Sequence, residues 1–239
     1  MKASRGLVMA VCVAAFVMLI ASGPGTRLGL WPWQTGLSLV KWAAYTGMAG
    51  AAGAVVLILA LAVPRWRAKP WVPLVALAFA LAAFVPPLVL LEEAKRAPPI
   101  HDITTDPFDP PAFNALLPIR KQSPNGADYG GIEIAKQQQE GYPDIKSLVV
   151  KSPPTETMQK AIDAARSGGW EIVSSDTPTG RIEATDTTQW FGFKDDIVVR
   201  IRPEASGGSR VDVRSVSRVG GSDVGANAKR VRKFLSRVG

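Results

Sequence analysis

Three long apolar runs open the chain, Leu7 to Ser22, Trp42 to Val63 and Trp71 to Leu91, and none contains an acidic or basic residue. A bilayer core needs roughly 20 apolar residues per helix. The second and third runs meet that length, and the neutral Gly23-Pro24-Gly25 extends the first into the interface. Three uncharged runs in succession do not suit buried core helices. Residues 1–95 therefore read as a membrane anchor with transmembrane helices at about 7–22, 42–63 and 71–91. A cleaved signal peptide is the rival for the first run, although Ala21-Ser22-Gly23 is a mediocre cleavage site. Cleavage would leave a two-helix anchor of the same orientation. In the second run Gly47, Gly50 and Gly53 alternate with Ala43, Ala51 and Ala54, a spacing that lets helices approach closely. Packing against the other two helices and homo-oligomerisation are both open for this face. Pro86-Pro87 predicts a kink near the outer end of the third helix.

The pattern then changes. Residues 96–131 carry seven prolines, Pro98, Pro99, Pro107, Pro110, Pro111, Pro118 and Pro124, which forbid long regular elements. This stretch reads as an extended arm with one helical turn around Phe113 to Leu117. Its apolar Phe108, Phe113, Leu116 and Leu117 pack on the domain that follows. Residues 132–239 read as that domain, extracytoplasmic and soluble. A Gln-rich segment leads to Tyr142-Pro143-Asp144, and Leu148 to Val150 is a short strand. Pro153-Pro154 opens a helix with Met158, Ala161, Ile162 and Ala165 on one face, and Gly168-Gly169 ends it. Trp170 to Ser174 and Arg181 to Thr188 are strands. In the next two, Ile197, Val199 and Ile201, then Val211 and Val213, alternate with polar neighbours. A last helix runs from about Val224 to Arg237. The order predicts an α+β fold: a two-layer α/β sandwich with a mainly antiparallel sheet. Its helices cover the valine and isoleucine face, and Glu183, Arg200, Asp212 and Arg214 lie on the other.

Charge fixes an orientation. All 20 acidic residues lie from Glu92 onward, whereas Lys2, Arg5, Arg65, Arg67 and Lys69 flank the apolar runs. Basic flanks face the cytoplasm. This places the N-terminus inside and the C-terminal domain outside a cytoplasmic (inner) membrane. Trp31, Trp33 and Trp42 mark the outer interface and Trp66 and Trp71 the inner one. From Glu92 onward 21 basic residues face 20 acidic ones, a net charge of +1. No clustered basic footprint for nucleic acid remains. The absence of any carboxylate, lysine, arginine or histidine within the spans argues against transport. Cys12 is the only cysteine, and bulky Val11 before it does not suit lipid attachment. His101 is the only histidine, so neither a thiolate nor a multi-histidine metal site is available. No cofactor is implied.

Phe193-Lys-Asp-Asp-Ile-Val-Val-Arg-Ile-Arg202, Val211-Asp-Val-Arg-Ser-Val-Ser-Arg-Val-Gly220 and Asp223-Val-Gly-Ala-Asn-Ala-Lys-Arg230 resemble the domain-of-unknown-function 1499 family. Tyr142-Pro-Asp144 and Arg181-Ile-Glu-Ala184 resemble its upstream segments. The resemblance covers roughly residues 100–239. It implies a bacterial membrane- or envelope-associated protein and carries no assigned chemistry.

The candidate chemistry gathers between Arg200 and Arg230. Asp195 and Asp196 invite a two-carboxylate mechanism, but adjacent strand residues face opposite ways. Ser215, Ser217 and Ser222 lack a nearby base or a nucleophile elbow. Gly220-Gly-Ser-Asp-Val-Gly225 precedes a helix without the Lys-Ser/Thr of a phosphate loop. Ser222 or Asp223 caps that helix, and Asn227 reaches back toward the Gly-rich loop. Arginine forks suit phosphate or carboxylate ligands and equally suit cross-strand ion pairs. No catalytic residue is assigned. Arg200, Arg214, Ser215, Ser217, Arg218, Asp223, Asn227 and Arg230 form the candidate ligand site. The final helix presents Lys229, Arg230, Arg232, Lys233 and Arg237 opposite Ala228, Val231, Leu235 and Val238, either a solvated face or a contact for an anionic surface. The leading expectation is a membrane-tethered envelope module that binds an anionic ligand or an envelope protein. The alternative is a hydrolase using Asp196, Asp212 or Asp223, with or without a divalent cation.

Overall fold

The computed structural model describes residues 2–63, 69–205 and 207–239. Arg65, Trp66 and Arg67 of the basic loop lie outside the described residues, as does Ser206 of the glycine turn. The chain forms two compact units, Met1–Glu93 with Gln189–Gly192, and Ala94–Thr188 with Phe193–Gly239.

The first unit contains α1 (Lys2–Arg27), α2 (Trp33–Ala60) and α3 (Trp71–Arg96). All three are long and apolar enough to cross a membrane. α1 runs on through Pro24, and α2 begins nine residues before the apolar run that predicted it. The small residues of α2 are occupied within the chain. A Cβ at Gly47 would lie 3.0 Å from the carbonyl oxygen of Ala80, and one at Gly50 would lie 2.7 Å from the Cys12 sulfur. Close packing on α3 and α1 requires glycine there.

The second unit holds a six-stranded sheet, antiparallel throughout: β1 (Asp102–Thr104), β2 (Leu148–Val150), β3 (Glu171–Asp176), β4 (Arg181–Thr187), β5 (Lys194–Pro203) and β6 (Ser209–Ser217). The spatial order is β1-β6-β5-β4-β3, and β2 pairs with the same edge of β6 as β1. Four further helices complete the unit: α4 (Leu117–Gln122), α5 (Gly131–Gly141), α6 (Pro154–Ser167) and α7 (Ala226–Val238).

Strand alternation divides the side chains into two cores. On one face Ile182, Ile197, Val199, Val211 and Val213 pack against Met158 and Ala161 of α6 and Val231 and Phe234 of α7. Trp170 stacks on Phe234 with ring centroids 5.0 Å apart. On the other face Val198 and Val216 pack against Phe113 and Leu116 of the arm. Removing each such side chain from water stabilises the fold by about 1.5–3 kcal/mol.

The arm differs in detail from its sequence reading. Asp102–Thr104 form β1, with Ile103 opposite Ser215. The helical turn expected at Phe113 to Leu117 appears instead at Leu117–Gln122. Phe113 and Leu116 are buried anchors ahead of it, and Pro118 in its first turn suits a helix start. The buried Glu183 carboxylate accepts hydrogen bonds from the Asn114 and Leu116 amides at 2.7 and 2.8 Å and fixes that entry. The Gln-rich segment is α5, whose Gln138 pairs with the Thr104 backbone.

Candidate functional site

The eight candidate residues fall into two groups, because β6 sends alternate side chains to opposite faces. Arg214 and Arg218 lie under the arm, together with Arg200 of β5. Ser215 and Ser217 face the helices. The expected single cluster at one end of the sheet is therefore split by the sheet itself.

Every arginine under the arm meets a carboxylate. Arg214 donates through Nε and Nη2 to both oxygens of Asp102, at 3.0 and 2.7 Å, and through Nη2 to the Ala127 carbonyl. Its guanidinium lies between the rings of Phe113 and Tyr129, 5.4 and 5.5 Å from their centroids. Arg218 forks onto Asp196 at 2.9 and 2.8 Å. Asp196, 0% exposed, also accepts from Thr185 at 2.9 Å and from Arg120 at 3.4 Å. Arg120, itself 0% exposed, adds bonds to the carbonyls of Val216 and Gly126. Burial lowers its guanidinium below the usual value, and Asp196 works against that shift. Arg200 and Arg202 share Asp212, Asp106 and Asp109. The Tyr129 hydroxyl is buried with no hydrogen-bond partner among the described residues, and its pKa is pushed up to about 12, first by burial and then by Asp102.

The second group lies between β6 and α7. The Ser215 hydroxyl donates to Asn227 Oδ1 at 2.7 Å, and Asn227 Nδ2 donates to Ser217 Oγ and the His101 carbonyl, each at 3.0 Å. Arg230 reaches Asp186 at 2.8 Å, Asp195 at 2.6 Å and Ser215 at 3.1 Å, and bonds Asn227 as well. Asp195 and Asp196 thus face opposite ways, as adjacent strand residues must. Asn227 turns to β6 and the His101 carbonyl instead of back to the Gly-rich loop, because those polar groups are buried and need partners.

The helix cap differs from the expected one. Gly225, left-handed at φ 79°, is the N-cap residue, and Val224 before it holds φ 53°. A β-branched residue at positive φ is strained. Asp223 holds this turn by accepting from the amides of Gly225 at 2.8 Å and Asn227 at 2.7 Å. Burial raises the Asp223 carboxyl, and those two amides oppose the shift.

One candidate residue also borders open space. Arg230 lines a groove of about 190 Å³ between α6 and α7, with Lys229, Lys233, Arg237, Trp170 and Asp186. Among the described residues Asp186 is the one acid lining the groove, and it pairs with Arg230, which also holds Asp195. Lys229, Lys233 and Arg237 recur every four residues and are exposed. The sequence reading located this basic face but did not link it to the candidate site. It missed Asp102 and Arg120 altogether, and of the arm residues expected to pack on the domain Phe113 does so whereas Phe108 is exposed. Nothing in the sequence around Arg120 signalled its burial against Asp196.

The profile of the family described as Protein of unknown function (DUF1499) matches residues 102–238, from the first residue of β1 to the last of α7. No curated protein matches the chain. More than half of the chain lies within the family match, and the chain belongs to this family.

Proposed function

We propose that this family member is a non-enzymatic binding module, tethered to a membrane by α1–α3, that takes an anionic phosphate- or carboxylate-bearing ligand in the α7 groove. One observation carries the reading: Lys229, Lys233 and Arg237 line the groove beside an Arg230 whose charge Asp186 and Asp195 already balance. Guanidinium and ammonium groups on a fixed helix face suit a small oxyanion. The arginines under the arm serve a different purpose in this reading. Their carboxylate partners are internal, so they fasten the arm to the sheet. The hydrolase alternative loses support on the same grounds. Asp196 and Asp212 are held by guanidinium forks, and Asp223 is engaged by the Gly225 and Asn227 amides at the turn into α7.

The test is calorimetric titration of the full chain in detergent with inorganic pyrophosphate. Saturable binding is expected, weakening with added salt and weakening at least tenfold in Lys233→Ala and Arg237→Ala. Absence of binding, or equal binding by both variants, rejects the groove as an anion site.

The orientation belongs to the same proposal. Lys2, Arg5 and the basic loop at Arg65 to Lys69 support an N-terminus in the cytoplasm and a C-terminal unit outside it, in the envelope. An alkaline phosphatase fused after Gly239 is expected to be active, and one fused at Arg67 inactive. The reverse pattern would overturn the orientation.

A further inference from the structure

β1 and β2 lie end to end along one edge of β6, with Thr104 opposite Arg214 and Leu148 opposite Val211. Between them Thr105 still exchanges bonds with Val213, and the Ser147 hydroxyl donates to Asp212 at 2.6 Å. Here the two segments part. Asp106 turns under the sheet to Arg200 and Arg202, whereas Tyr142 and Ile145, which lead into β2, enter the core on the helix face. A cleft of about 510 Å³ opens at the parting. This volume lies in the usual range for small-molecule sites.

The floor of the cleft is rigid. Gln138, 2% exposed, uses both ends of its amide on the Thr104 backbone, at 2.9 and 2.7 Å. The rim is different in character. Phe108 is 99% exposed, held out between Pro107 and Asp109, and Gln139 and Lys146 are exposed beside the opening. The charges divide unevenly. Asp106 is neutralised by Arg200 and Arg202, and Arg210 by Glu204 at 2.9 Å. Lys146 has no ion pair among the described residues, so its ammonium group is the cation at the rim that can meet an anion.

An uncovered aromatic face, amide and hydroxyl groups and a single cation together suit a ring with C–H faces, several hydroxyls and one carboxylate. The axial C–H groups of a pyranose chair form apolar faces that pack on aromatic side chains. We propose that this cleft binds an acidic saccharide. A uronic-acid ring lies against Phe108, exchanges hydrogen bonds with Gln139, donates a hydroxyl to Ser147 Oγ, and places its carboxylate at Lys146. The site is separate from the α7 groove and does not depend on it.

The experiment uses the full chain in a detergent without a sugar headgroup, titrated calorimetrically with tri-galacturonate and with its methyl ester. Tri-galacturonate is expected to bind saturably, and the uncharged ester at least tenfold more weakly. Phe108→Ala and Lys146→Ala change exposed side chains, and each is expected to weaken binding at least tenfold. Lys121→Ala, an exposed position that lines neither groove, should leave this binding unchanged. No binding, equal binding of the ester, or an unaffected Phe108→Ala variant overturns the proposal. So does loss of binding in Lys233→Ala, which would move the uronate to α7.

Discussion

Arg214→Ala is expected to destabilise the C-terminal unit by about 3–5 kcal/mol, the range for removing one partner of a buried ion pair. Both oxygens of Asp102 rest on this guanidinium, and Asp102 is 4% exposed. Truncation leaves a carboxylate without water or a counter-charge at the edge strand β1. It also removes the cation between Phe113 and Tyr129 and strands the Ala127 carbonyl. Thermal melting of the full chain in detergent, followed on the sheet circular dichroism signal, should fall by about 10 °C or more. The double variant Arg214→Met with Asp102→Leu should be less damaged than Arg214→Ala alone, because no charge is left behind. Melting of Arg214→Ala near the wild-type temperature would reject the internal role. An arginine held in readiness for a ligand can be lost without cost to the fold.

Much of this arrangement was legible in the sequence for one physical reason: side chains on a strand alternate between faces. The Val and Ile positions of β5 and β6 marked the face under the helices, and the same parity put Arg200, Asp212 and Arg214 on the other. Gly168-Gly169 ended α6 as expected, with Gly169 at φ 82°. The three spans were legible because a bilayer demands long uncharged runs. What escaped was set by distant partners. β1 is three residues long and lies in a proline-rich stretch, and its pairing partner in β6 is more than a hundred residues away. No local period signals such a strand. Arg120 lies in Leu117–Gln122, a polar sequence that reads as surface, yet the side chain is enclosed. Only Asp196 explains its burial, and nothing local connects the two.

The parity argument also failed in one instructive way. Arg214, Ser215, Ser217 and Arg218 are close in sequence, and proximity suggested a single constellation. The period of two that identified the strand also sends these residues to opposite sides of it. The hydroxyls joined Asn227 and Arg230 under α7, and the guanidiniums joined Asp102 and Asp196 under the arm. A strand therefore supplies one site with every second residue. Candidate groups of mixed parity on a strand are better read as two half-sets from the start.

Asp196→Ala should be at least as damaging as Arg214→Ala, because one carboxylate serves two arginines. Arg218 keeps some access to water, but Arg120 has none. Removal of Asp196 leaves the Arg120 guanidinium enclosed with carbonyl oxygens alone, and the Thr185 hydroxyl loses its acceptor. A loss of about 3–5 kcal/mol is expected. Asp196→Asn separates charge from shape: it keeps the volume and one acceptor oxygen but no counter-charge. If electrostatic pairing holds the arm, Asp196→Asn should melt nearly as low as Asp196→Ala. The loss should also be visible locally. Arg120 belongs to α4, so its unpairing frees the arm, and trypsin should cut at Arg120 or Lys121 well before the helix-covered face opens. Slow cleavage at α4 together with wild-type melting in Asp196→Asn would show that Phe113, Leu116 and the Glu183 bonds hold the arm without the charges.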